Sequence, residues 1–164
     1  MSTERGFSLI ELAVVLMVAG TIMAFGVPAF SRYRDDMRLR QARNQLTEDI
    51  RLARQLAVTR RAPVYIRFGT PPTTTDITSY QIHIDANANG VYNAGERQFL
   101  RTMPSGTRLT SVSLGSVDTL GFDISGILLT PASLATPGGT LVFRNARARL
   151  DTLSISTAGI VFRP

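Results

Sequence analysis

The pattern of apolar residues changes twice along the chain. Residues 7–30 are almost entirely apolar and contain one charged side chain, that of Glu11. About 20 apolar residues suffice for a helix to cross a bilayer, so this segment is long enough to span one. After Pro28, apolar residues recur at steps of three and four, which predicts that the helix continues to about Thr59 as an amphipathic helix. Its apolar face comprises Leu39, Ala42, Leu46, Ile50, Ala53 and Ala57.

Three residues in the apolar half of this helix disfavour helical structure, namely Gly20, Gly26 and Pro28. A proline inside a helix removes one backbone hydrogen bond, and its ring clashes with the preceding turn. We therefore predict a kink or a locally melted stretch within residues 20–28.

The second change comes at Pro63, which ends the helix because the residue before a proline avoids the helical conformation. Apolar and polar residues then alternate in short runs separated by turn residues, which is typical of antiparallel strands. The predicted strands are residues 64–68, 80–84, 98–103, 108–114, 120–124, 140–144, 152–156 and 160–163. The expected fold is α+β, with the amphipathic half of the helix packed on an antiparallel β-rich head.

Composition excludes several kinds of chemistry. The chain of 164 residues has no cysteine, so it forms no disulfide and no thiol nucleophile. With one histidine, His83, and no cysteine, the chain has too few ligands for the usual zinc sites. Neither a Gly-x-Ser-x-Gly elbow nor a Walker loop is present. The chain is therefore not expected to be an enzyme, and His83 is expected at the surface or edge of the second strand. The net charge is +6, and every basic residue is an arginine. Such a basic excess suits binding to nucleic acid, anionic lipid or an acidic protein.

Residues 85–96 fit the twelve-residue calcium pattern D-x-[DN]-x-[DN]-G-x5-E, with Gly90 at the sharp turn. The pattern assigns the ligands as the side chains of Asp85, Asn87 and Asn89, the carbonyl of Val91, Asn93 directly or through water, and both carboxylate oxygens of Glu96. The alternative is a polar hairpin loop in which Asn89 and Gly90 supply a tight turn. Strands rather than helices flank the loop, and two charged ligands indicate modest affinity.

The N-terminal hexapeptide Gly6-Phe7-Ser8-Leu9-Ile10-Glu11 resembles the processing site of type IV prepilins and type II secretion pseudopilins. The resemblance implies that a prepilin peptidase cuts after Gly6 and methylates the new amine of Phe7. It also implies that Glu11 meets the N-terminal amine of a neighbouring subunit in a fibre. Pro28 lies where many pilins carry a helix-loosening proline.

The same resemblance implies a domain organisation and a location. Residues 1–6 would be the leader, 7–30 a transmembrane or fibre-core helix, 31–62 its amphipathic continuation, and 63–164 the globular head. The chain would cross the bacterial inner membrane once, with its head in the periplasm or outside, and then join a fibre of other pilins. Counting arginines alone would place the head in the cytoplasm, but long domains translocate largely regardless of charge.

The head resembles the GspH/FimT group of minor pilins and pseudopilins. The residues that carry this likeness are 84–96 with Leu100-Arg101, 120–123 with Gly126, and 155–159. It implies a structural subunit of the type II secretion pseudopilus, or alternatively of a type IV pilus engaged in pilus biogenesis or DNA uptake. We favour the pseudopilus, because the Gly-Arg-x-Arg pattern of the DNA-uptake subunits is replaced here by Gly159-Ile160-Val161-Phe162-Arg163.

Candidate contacts for DNA are Arg144, Arg147, Arg149 and Arg163. Binding of backbone phosphates needs several cations on one surface and weakens steeply with salt. The alternative is a solvated loop, with the helix arginines contacting acids on adjacent subunits.

Two simpler explanations of the N-terminus stay open. A secretory signal peptide would be cut after its apolar region, beside small residues, and would have no acid in that region. A plain membrane anchor carrying a periplasmic calcium-binding domain would leave Gly6, Phe7 and Glu11 unexplained.

Overall fold

The computed structural model describes residues 7–69, 76–114, 118–129, 139–156 and 159–162, apart from the side chain of Pro28. Within them lie one helix, α1 (Leu9–Arg60), and nine strands. The chain divides into two compact units, with the boundary between Asp35 and Asp36 inside α1.

Helix α1 is continuous from Leu9 to Arg60, so the prediction of a locally melted stretch within residues 20–28 is wrong, and a kink there stays a prediction. A proline costs a helix one backbone hydrogen bond, and the remaining bonds of the ladder keep the flanking turns helical. Gly20 and Gly26 face open space, since a Cβ added at either would meet no atom within 4 Å. The helix ends as expected ahead of Pro63, with Arg61 in the left-handed region at a φ of 51°.

The strands form two antiparallel sheets. Sheet A has the order β3-β2-β1-β5-β6, and sheet B has the order β4-β7-β8-β9. Each strand that was predicted is present within one or two residues at each end, and β6 is the addition, too short to show an alternating pattern. The strands are β1 (Val64–Phe68), β2 (Ser79–Ile84), β3 (Gln98–Thr102), β4 (Thr107–Ser113), β5 (Thr119–Phe122), β6 (Leu128–Leu129), β7 (Gly139–Asn145), β8 (Leu150–Ile155) and β9 (Val161–Phe162).

One apolar core joins the amphipathic part of α1 to both sheets, which confirms the α+β architecture. All six residues of the predicted helix face are buried. The sheets contribute large aromatic side chains, of which Phe68, Phe122 and Phe143 are fully buried. Each such side chain stabilises the fold by roughly 1.5–3 kcal/mol relative to an exposed one.

A buried polar cluster fixes α1 against sheet A. The hydroxyl of Tyr80 donates a 2.6 Å hydrogen bond to Asp49 Oδ2. Arg101 Nε lies 3.4 Å from Asp49 Oδ1, an ion pair without hydrogen-bond geometry. Burial, and then the bond to Asp49, raise the pKa of Tyr80 far above its usual value.

Candidate assembly helix and head sites

The first part of α1 exposes nearly all of its large apolar side chains. The exposed residues are Leu9, Ile10, Leu12, Val14, Val15, Leu16, Met17, Val18, Ile22, Met23, Phe25, Val27 and Phe30. Among the described residues, α1 is the helix that is long and apolar enough to cross a membrane. An exposed apolar surface of this extent marks a site that contacts lipid or protein.

Ser8 and Glu11 form a capping box at the start of α1. The backbone N–H of Ile10 donates to Ser8 Oγ at 3.3 Å, and the Ser8 N–H donates to Glu11 Oε2 at 2.9 Å. Such a cap satisfies amide groups that have no partner within the helix. The pattern Ser-x-x-Glu ahead of an apolar run is the sequence signal of this cap, which gives Glu11 a role within its own chain that the family resemblance does not imply. Gly6 lies outside the described residues, as does the peptide bond to Phe7.

The loop of residues 85–96 connects β2 to β3, and backbone hydrogen bonds hold both of its ends. Ile84 N–H donates to the Arg97 carbonyl, and Asp85 N–H donates to the Pro63 carbonyl, each at 2.9 Å. Ala88 and Gly90 take left-handed conformations, with φ of 56° and 76°. Paired strands thus hold both ends of the loop, and left-handed residues turn it sharply at its centre.

Side-chain oxygens of the first half of this loop are turned onto its own backbone. Asp85, which is fully buried, accepts N–H bonds from Asn89 at 3.2 Å and from Gly90 at 2.7 Å. Asn87 Oδ1 accepts the Asn89 N–H at 3.1 Å, and Asn89 Oδ1 accepts the Val91 N–H at 2.9 Å. The three predicted side-chain ligands are therefore gathered around one turn.

Glu96 closes the loop from its far end. Its Oε1 accepts the N–H of Ala86 at 3.1 Å, and its Oε2 accepts the N–H of Asn93 at 2.9 Å. Asn93 Nδ2 in turn donates to the Val91 carbonyl at 2.8 Å. The described residues contain no group of three or more His, Cys, Asp or Glu side chains placed to hold a metal. In this loop, most of the candidate metal ligands are amide and backbone carbonyl oxygens.

The prediction for His83 is wrong, because its side chain is buried and only 3% exposed. Its ring stacks on Tyr65 at 5.4 Å and meets the edge of Tyr92 at 5.8 Å, both between ring centroids. Alternation along β2 puts His83 on the face opposite Ile82, but Tyr92 of the 85–96 loop folds back over that face. Sequence periodicity gave no signal of that long-range contact.

Neither ring nitrogen of His83 has a hydrogen-bond partner among the described residues. Burial lowers the pKa of His83, while the nearby carboxylates of Glu96 and Asp85 act in the opposite direction. Tyr65 lies in the same layer, and burial together with Asp85 raises its pKa. The loop therefore covers an aromatic layer of two half-buried tyrosines and a buried imidazole that has no hydrogen-bond partner among the described residues.

The predicted arginine cluster lies around the turn between β7 and β8. Arg149 Nη1 is ion-paired with Asp36 of α1 at 2.6 Å, and Asn145 Oδ1 accepts the N–H groups of Arg147 and Arg149. Arg147 also takes part in a further interaction. Arg144 lies opposite Arg108 of β4. Arg163 lies outside the described residues, so DNA binding by this cluster stays a prediction.

The family of the chain follows from comparison with known proteins. The sequence model of the family described as "Type II transport protein GspH" matches residues 42–159, well over half of the chain. This chain belongs to the GspH family. The predicted GspH/FimT resemblance is thereby confirmed, and the chain is a pilin-like structural subunit.

A curated relative agrees with this assignment, and two solved structures share the fold. This chain is 31% identical over 162 residues to the pilin-like protein PilA1 of Thermus thermophilus. The alignment covers 91% of this chain and 99% of PilA1. The minor pilin FimU of Pseudomonas aeruginosa matches at 20% identity and a TM-score of 0.56, over 80% of this chain and 92% of FimU.

The minor pseudopilin EpsH, from the type 2 secretion system of Vibrio cholerae, matches at 12% identity and a TM-score of 0.52, over 77% of this chain and 95% of EpsH. At such identities the two structures establish the fold alone, and the predicted pilin-like fold is confirmed.

Proposed function

We propose that this chain is a minor subunit of a type II secretion pseudopilus, where it supports protein secretion by assembly rather than by catalysis. The observation that carries the proposal is the exposed apolar part of α1 with Glu11 near its start, on a chain with the GspH head. An apolar helix of this length suits two surroundings, lipid before assembly and other helices after it.

Processing at Gly6 prepares the helix for assembly. A prepilin peptidase cuts between Gly6 and Phe7 and methylates the amine of Phe7, while residues 7–30 anchor the chain in the inner membrane with its head in the periplasm. In the membrane, Glu11 keeps its bond to the Ser8 N–H. In the fibre, Glu11 lies beside the N-terminal amine of a neighbour, and each charge offsets the cost of burying the other.

Replacing the carboxylate tests this mechanism. We expect Glu11→Ala to remain in the membrane but to disappear from fibres sheared from cells, as measured by immunoblotting of both fractions. Glu48→Ala is a matched control, because Glu48 is an exposed acid on the same helix and is ion-paired with Arg51 one turn away. Equal incorporation of Glu11→Ala and wild type would contradict assembly through Glu11 and favour a simple anchored domain.

A minor type IV pilus subunit is the second candidate, favoured by the likeness to PilA1 along nearly the whole chain and by the fold shared with FimU. Deleting the gene separates the two candidates. Loss of exoprotein secretion with intact pili supports the pseudopilus, whereas loss of surface pili or of DNA uptake with normal secretion supports the pilus. DNA binding is measured by gel shift at two salt concentrations, with Arg144→Ala and Arg147→Ala as variants.

A further inference from the structure

The strongest unassigned feature of the head is the loop of residues 85–96, which we call the Asp85 loop. Neither of its carboxylates, Asp85 or Glu96, is ion-paired with an arginine of the described residues. This is unexpected in a chain of net charge +6. Asp85 is fully buried, and a buried charge without a counter-charge is costly even when it accepts hydrogen bonds.

A second observation comes from the layer beneath the loop. His83 lies two residues before Asp85, so strand alternation puts both on the same face of the sheet. The imidazole is buried, contacts Tyr92 of the loop, and has no hydrogen-bond partner within the part of the chain that the structure describes. A buried polar group in this condition destabilises the fold unless a donor or acceptor reaches it. Among the described residues, the two carboxylates of the loop therefore lack a positively charged partner, and the imidazole beneath the loop lacks a hydrogen-bond partner.

We infer that the Asp85 loop binds a calcium ion, whose charge offsets the two carboxylates and whose bound water bonds to His83. Each side-chain oxygen of Asp85 and Glu96 accepts one N–H bond, which leaves a lone pair for a cation. The ligands are the oxygens of Asp85, Asn87, Asn89, Val91 and Glu96, with Asn93 direct or through water.

The donor set selects calcium over magnesium. Calcium accepts six to eight oxygens in irregular geometry, including amide and backbone carbonyl groups, whereas magnesium demands a near-ideal octahedron. Two charged ligands among neutral ones correspond to weak sites with a Kd of roughly 0.1–1 mM. The bound ion fixes the connection between β2 and β3 over the aromatic layer of Tyr65 and His83.

Calorimetry on the full chain in detergent micelles, stripped with a chelator, tests the site. Wild type should bind one calcium with a Kd of roughly 0.1–1 mM and bind magnesium far more weakly. Glu96→Gln should weaken calcium at least about tenfold, because it replaces a bidentate carboxylate by one neutral oxygen. Asn87→Ala, at an exposed amide, should weaken it about threefold, because it removes one neutral ligand. Asp123→Asn is the matched control, because Asp123 also accepts two loop N–H bonds but lies outside the motif.

Terbium luminescence tests the site on the wild-type chain, so its main result does not depend on a substitution that could alter folding. The chain has no tryptophan, so tyrosines alone would sensitise a bound terbium ion, and Tyr92 lies within the loop. Calcium should displace terbium and quench the emission, and Tyr92→Phe should reduce it. No saturable calcium heat at about 10 mM, or unchanged affinity in Glu96→Gln, would overturn the inference. Because binding is measured on the isolated chain, either result leaves the proposal of fibre assembly untouched.

Discussion

Two single residues, Glu11 and His83, show how polar groups are accommodated in apolar parts of this chain. Glu11 bonds to the Ser8 N–H within its own chain, and in the proposed fibre it gains the amine of a neighbour. The cap explains how a carboxylate is accommodated at the start of an apolar helix, because a helix N-terminus favours negative charge. His83 differs, since its imidazole lies between Tyr65 and Tyr92 and neither nitrogen bonds to another described residue.

The burial of His83 predicts a pH dependence of head stability. Because burial lowers its pKa below the ordinary 6.5, the unfolded chain binds the proton more readily than the folded one. The free energy of unfolding should therefore fall as the pH drops below about 6.5, towards the folded pKa. Thermal unfolding of the full chain between pH 7.5 and 5 should show this loss.

The variant His83→Phe serves as the comparison, because phenylalanine retains an aromatic ring between Tyr65 and Tyr92 and cannot titrate. Its melting temperature should change less over the same pH range. Identical pH slopes for wild type and His83→Phe would mean that other groups control the acid response.

At the scale of elements, the outer face of sheet A is built around one glycine. Tyr65 of β1 is paired with Gly121 of β5 on one side and with His83 of β2 on the other. A Cβ at Gly121 would lie 2.6 Å from two ring carbons of Tyr65, so the tyrosine occupies the space that the glycine leaves. The Tyr65 hydroxyl in turn approaches Gly90 in the Asp85 loop.

Gly121→Ala should therefore displace Tyr65 and disturb the layer under the Asp85 loop. We expect a loss of about 1–3 kcal/mol in the free energy of unfolding, the usual cost of overpacking, measured by urea denaturation. Gly20→Ala is the control, because a Cβ there meets nothing within 4 Å and alanine favours helix. If Gly121→Ala were as stable as wild type, Tyr65 would have an alternative position that keeps the layer closed.

At the scale of the whole molecule, much of the architecture followed from local pattern. The stripe of apolar residues along α1 and the alternation in the strands have physical periods that are visible in sequence. The hexapeptide at residues 6–11 and the head segments indicated the family. What sequence did not reveal depends on contacts between distant residues, such as Tyr92 over His83 and Arg149 on Asp36. The continuity of α1 through Pro28 also differs from the local preference of proline.

In the proposed fibre, the apolar part of α1 packs against other pilin helices through Glu11. The chain has no cysteine, so a single Leu16→Cys substitution at an exposed helix position can be cross-linked cleanly to a major pilin with one cysteine in its own N-terminal helix. In sheared fibres, we expect a disulfide-linked pair that forms with Glu11 and with Glu48→Ala but is lost with Glu11→Ala. A cross-link of equal yield without the Glu11 carboxylate, or none in fibres that retain Glu11, would mean that the helices do not pack through Glu11.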